Sequence, residues 1–132
     1  MDLTDTVEFT GRISDRDLVR HLMESDICVN PDLATPMNDK STMNKTMEYM
    51  ALEKPIVQFD LTEGSYSAKD ASLYAAENDP KDLADKILEL ANNPEKRAKM
   101  GAAGRKRLEK KLSWQKQKKP LQKLYSDLFT TP

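Results

Sequence analysis

The chain has 132 residues, enough for one domain and too few for two, and a chain of this size buries about two thirds of the surface it exposes unfolded. Its apolar fraction of 38% and charged fraction of 33% suit a helical α/β unit with much solvated helix surface, and argue against global disorder. The net charge is only −1, yet it is unevenly placed: 20 acids against 9 bases up to Glu95, then 12 bases against 2 acids.

Residues 7–10 alternate like a short strand and Gly11 breaks it. Ser14, with an acid at Asp17, then reads as a helix cap, and Leu18, His21, Leu22 and Ser25 recur at helical spacing before a short apolar strand over residues 27–29. That strand carries the one cysteine, Cys28, so a disulfide framework is excluded and a buried thiol of a reducing compartment is expected. No run approaches the roughly 18 apolar residues of a membrane span. The start, Met1 to Thr6, is acidic rather than signal-like, so the expected location is cytoplasmic.

Residues 30–40 are loop by composition, and Ser41 reads as the cap of a helix running to about Leu52. Residues 55–60 follow as a strand, and Glu63-Gly64-Ser65 as a turn. Residues 71–76 fit either a short strand or a helical turn. Asp79-Pro80-Lys81-Asp82 starts one helix and Asn93-Pro94-Glu95 another, ending near Leu112; Gly101 and Gly104 weaken the second by about 1 kcal/mol each relative to alanine. Ser113 starts a last helix towards Phe129, which Pro120 kinks or delays. Strands alternating with helices predict an α/β fold: a Rossmann-like partial domain with a small parallel sheet, helices on both faces and a helical C-terminus.

In such a sheet, ligands bind beyond the carboxyl ends of the strands, where residues 30–40 emerge. On a wheel counted from Ser41, Lys45 falls at about 40° and Glu48 near −20°, whereas Met43, Met47 and Met50 fall between about 180° and 240°. The methionine face can pack on the sheet while Ser41, Thr42 and Met43 offer backbone N–H groups to an anion, with Lys45 beside them and Glu48 about 10 Å along. A diphosphate followed by a ribose spans a similar length. The same spacing equally serves a surface ion pair between Lys45 and Glu48, with Ser41 merely capping.

The segment Asn38-Asp39-Lys40-Ser41-Thr42-Met43-Asn44-Lys45-Thr46-Met47-Glu48-Tyr49-Met50-Ala51, followed by Lys54-Pro55-Ile56-Val57, resembles the donor site of bacterial retaining glycosyltransferases of the GT-B fold, the group 1 family. Val7-Glu8-Phe9-Thr10-Gly11 and Asp26-Ile27-Cys28-Val29-Asn30-Pro31 resemble two earlier strands of that family's C-terminal, nucleotide-sugar-binding domain, and Asn92-Asn93-Pro94 with Ser113-Trp114 its last helices. The resemblance implies that Glu48 hydrogen-bonds the ribose hydroxyls of a UDP- or GDP-sugar donor and that Ser41 and Thr42 hold the diphosphate. By the same resemblance, Arg12 and Ile13 lie where the base is contacted. Two positions depart from the family. Lys40 stands where an acid often lies eight positions before the ribose glutamate, leaving Asp39 beside it as the acid for the sugar-facing, catalytic role. Glu53 replaces a glycine suited to the left-handed conformation, which implies strain or a different cap.

The implied activity is transfer of a sugar to an acceptor such as a surface polysaccharide or lipid-linked glycan, with no cofactor or metal beyond the donor. An N-terminal acceptor domain and the basic residues that stabilise the leaving diphosphate are also implied, so the chain is expected to be an incomplete, poorly active piece. One histidine and one cysteine argue against triad hydrolysis and a transition-metal site, and Asp15-Arg16-Asp17 reads as capping rather than as a metal-binding Asp-x-Asp.

The basic stretch over residues 96–123 fits a solvated surface or contact with an anionic membrane, and no nucleic-acid partner is assigned to it. The alternative to an enzyme is therefore a non-catalytic module that binds a nucleotide or an anionic surface. The last helix is expected to cross to the acceptor domain, leaving Trp114 and Leu124 partly exposed here and open to dimerisation.

Overall fold

The computed structural model describes residues 3–130; Met1 and Asp2, the start of the acidic N-terminal stretch, lie outside them. Three strands form a parallel sheet in the order β1 (Cys28–Asn30), β2 (Ile56–Phe59), β3 (Ser72–Ala75), with Cys28 opposite Ile56 and Ile56 opposite Ser72. Residues 71–76, open between strand and helical turn in sequence, thus resolve into β3, preceded by a 3₁₀ turn over Lys69–Ala71.

Helices cover both faces, and the alternation of β2 divides the core. Val57 and Phe59 join Leu61, Ala75, Leu83, Leu90 and Met100 on one side. Ile56 joins Met50, Ala68 and Ala71 on the other, with Met47, Leu108 and Leu112 packed against them. The methionine face expected of the second helix is therefore a core face, Met50 being fully buried.

The caps read from sequence at Ser14, Asp79 and Asn93 are present. Asp17 N–H donates to Ser14 Oγ at the start of α1 (Asp15–Glu24). Asp79 accepts from the N–H groups of Lys81 and Asp82 at α4 (Pro80–Ala91), and Asn93 accepts from Lys96 N–H at α5 (Pro94–Arg107). The stretch to Leu112 is completed by a π turn over Leu108–Leu112, and α6 (Trp114–Thr130) runs on through Pro120 rather than starting late.

Three expectations are corrected. Residues 7–10 form no strand; they lie exposed, Phe9 by 93%, because no neighbouring strand among the described residues offers them a ladder, and alternation alone binds nothing. Ser41 is not a helix cap: α2 begins three residues later (Asn44–Ala51, N-cap Met43), because residues 38–40 close a 3₁₀ turn and Ser41 Oγ donates to Met37 O at 2.7 Å. Glu63-Gly64-Ser65 is no turn but part of α3 (Thr62–Ala68). That short helix is held at both ends by distant groups. Asp39 Oδ1 accepts Thr62 N–H at 2.7 Å, and Arg107 donates to Tyr66 O and Ser67 O.

Glu53 ends α2 with φ 56°, donating its N–H to Met50 O while Lys54 N–H bonds Tyr49 O. This is a Schellman cap with glutamate at the left-handed position, so the usual cap is kept and some backbone strain accepted.

Candidate functional site

The strands end at Asn30, Phe59 and Ala75, and the loops that leave them are tied together. Asn78, itself left-handed at φ 59°, accepts Ala34 N–H at 2.7 Å. Asn38 Nδ2 donates to Leu33 O, Thr42 Oγ1 to Glu63 Oε1 at 2.8 Å, and Asp39 caps α3. The loop after β1 is thus fixed by bonds to the loops after β2 and β3, in the place where an open parallel sheet binds ligands.

Within that frame the residues singled out in sequence separate into engaged and available groups. The hydroxyls of Ser41 and Thr42 are used within the loop cluster. Because α2 starts at Asn44, the N–H groups without an intrahelical acceptor belong to Asn44 and Lys45, while Thr46 N–H already bonds Met43 O. Met43 stands at the N-cap position, half-buried. Lys45 Nζ pairs with Asp32 Oδ2 at 2.7 Å rather than with Glu48, and that pair holds the loop against α2. From Asn44 to Glu48 is about 6 Å along the axis, shorter than the 10 Å expected from a start at Ser41.

Glu48 is exposed and walls a groove of about 420 Å³ between α1 and α2, lined also by Asp15, Leu18, Val19, Leu22, Ala51 and Leu52. Arg12, exposed, and Ile13, half-buried, immediately precede the Ser14 cap of α1 and so stand at the Asp15 end of that groove. Asp39 borders a separate hollow of about 340 Å³ with Thr35, Leu61, Thr62 and Glu77. The structure therefore sets Glu48 and Asp15 along one groove, with Arg12 and Ile13 three and two residues before Asp15 in the chain, and places Asp39 in a separate recess.

Accepting the Thr62 N–H holds the Asp39 carboxyl below the usual carboxylate range. Burial pushes the Cys28 thiol up to about 11, with Lys54 opposing weakly, so the thiol is inert. Asn30 Oδ1 and Thr46 Oγ1 are both buried at this end of β1 and on α2, and neither has a hydrogen-bond partner among the described residues. Sequence reasoning missed Asp32 and Glu63, whose partners Lys45 and Thr42 lie 13 and 21 residues away, and Glu77, which lines the hollow beside Asp39. The signal for Asp32 was its place just past a strand that precedes a helix bearing a lysine. Asp15 and Asp17 serve α1, Asp17 accepting from Ser14 Oγ, and among the described residues no group of three or more His, Cys, Asp or Glu is gathered to hold a metal.

Residues 1–93 match the family described as glycosyl transferases group 1. The chain belongs to the group 1 glycosyltransferases. It is also similar, at 35% identity over 98 residues, to a protein of the archaeon Methanocaldococcus jannaschii named as an uncharacterized glycosyltransferase. That match covers 73% of this chain and 28% of the relative, so the chain spans well under half of that relative's length. No solved structure matches. The match takes in β1, the linked loops, α2 and the groove wall at Glu48, so the loop cluster belongs to the part of this glycosyltransferase that carries the family pattern.

Proposed function

We propose that this glycosyltransferase chain is the nucleotide-sugar half of a two-domain, GT-B enzyme, with its acceptor-binding domain outside these residues. Glu48 accepts hydrogen bonds from the ribose hydroxyls, and the base lies along the apolar groove wall towards Arg12 and Ile13. The diphosphate sits at the start of α2 near Lys45, with Ser41, Thr42 and Met43 shaping the approach. Asp39 faces the sugar. The observation that carries this reading is the groove between α1 and α2, which joins apolar side chains to an exposed carboxylate in the segment of the family match. A ribose ring needs a hydroxyl acceptor and a base needs an apolar face, and the groove supplies both.

The cations are few: Lys40 and Lys45 stand among Asp32, Asp39, Glu48, Glu63 and Glu77, and Lys45 is already paired. Stabilising the departing diphosphate therefore falls to basic residues elsewhere in the enzyme, and this chain alone turns over poorly. Transfer with retention, to a polysaccharide or lipid-linked acceptor at the cytoplasmic face of a membrane, is the corresponding whole-enzyme activity.

Calorimetric titration with UDP, GDP and their sugar conjugates, on the parent chain and on Glu48→Ala, tests the site. Selective binding by the parent that weakens about tenfold or more in the variant is expected, the size of a lost hydrogen bond to a charged acceptor. Equal binding by both chains would remove Glu48 from the site.

A further inference from the structure

The two acids at the start of α1 divide by their partners. Asp17 accepts from Ser14 Oγ and pairs with Arg20, so its carboxylate serves the helix. Asp15, two residues earlier and exposed, takes part through its carboxylate in no hydrogen bond or ion pair among the described residues. The cap at Ser14 is complete without it.

Asp15 lines the groove of about 420 Å³ between α1 and α2, which Glu48 lines from α2. Every other lining residue is apolar: Leu18, Val19 and Leu22 from α1, Ala51 from α2 and Leu52 at its C-cap. The side chains of the groove therefore offer hydrogen-bond acceptors at two points and no donor, since an ionised carboxylate only accepts. A base bound between these apolar walls is selected by the donors on its own edge.

The bases differ sharply in that respect. Uracil presents one N–H between two carbonyl oxygens, and both oxygens repel a carboxylate. Adenine and cytosine each set an amino group beside a ring nitrogen that accepts. Guanine alone presents two donors side by side, N1–H and the C2 amino group, which suit the two oxygens of one carboxylate.

We propose that Asp15 is a specificity-determining residue that selects a guanine nucleotide, its carboxylate accepting from guanine N1–H and the C2 amino group while Glu48 accepts from the ribose. The inference rests on the donor reading of the groove and adds to it the base of the donor. A site built to pair with two donors rejects a base that lacks one of them, because a desolvated carboxylate oxygen is then left without a partner.

The test is calorimetric titration of the 132-residue chain with GDP, UDP, ADP and inosine diphosphate, whose base is guanine without the C2 amino group. GDP is expected to bind about tenfold or more tighter than each of the others, the size of a hydrogen bond to a charged acceptor. In Asp15→Ala, GDP and inosine diphosphate should bind alike. Asp15→Asn puts an amide N–H in place of one carboxylate oxygen, so its preference should move towards xanthosine diphosphate, whose C2 carries a carbonyl oxygen. A helix loosened by either substitution would weaken all nucleotides together and would not produce that exchange. UDP bound as tightly as GDP by the parent, a GDP preference that survives in Asp15→Ala, or no gain for xanthosine diphosphate in Asp15→Asn would overturn the inference. In each of these cases, nucleotide binding that still weakens in Glu48→Ala leaves the donor reading standing. Absence of binding by every nucleotide overturns both.

Discussion

Gly101 shows why a residue that looks costly in a helix is required. A β-carbon there would stand 1.9 Å from Glu53 O, a backbone atom that cannot swing aside. Alanine in a helix interior is otherwise better than glycine by about 1 kcal/mol, whereas overpacking costs about 1–3 kcal/mol. Gly101→Ala is therefore expected to lower stability, and thermal or urea unfolding reads the sign directly. Its partner in that contact, Glu53, carries the left-handed strain of the α2 cap. Glu53→Gly keeps the cap and removes the β-carbon, so a gain of about 0.5–1 kcal/mol in the same measurement is expected.

Among the elements, α3 and α6 are opposites. The first is seven residues long and contains glycine and two serines, so its own propensity does not sustain it; Asp39 at one end and Arg107 at the other do. Bonding to Thr62 N–H depresses the folded pKa of Asp39, so its contribution is present above the unfolded value of about 3.9 and is lost as pH falls through the folded one. The difference in melting temperature between the parent and Asp39→Asn should be largest above about pH 5 and vanish as the pH falls through the lowered folded pKa. By contrast α6 is long, exposed and interrupted by Pro120, which withholds an N–H from Lys116 O. Pro120→Ala should raise helical ellipticity while leaving the cooperative melting of the sheet core almost unchanged, because the main packing of α6 is on the π turn. A large shift in the main transition would show that α6 is coupled to the core.

At the scale of the whole molecule, the two ends of the sheet carry different chemistry: acids and fixed loops beyond the carboxyl ends, and the lysines Lys69, Lys106, Lys110 and Lys111 at the amino-terminal end of β3. The strands near residues 27–29 and 55–60, the helix between Ser14 and Ser25, the caps at Ser14, Asp79 and Asn93, the buried Cys28 and the methionine face of α2 were legible in the sequence, because each depends chiefly on neighbours a few residues away. The family pattern around Glu48 was legible for the same reason. Where α2 starts, that residues 62–68 are helical, that residues 7–10 make no ladder and that Lys45 pairs with Asp32 were settled only by tertiary structure. Each of these depends on a hydrogen bond or charge supplied, or withheld, by a distant segment, and no local pattern of residues encodes the position of such a partner.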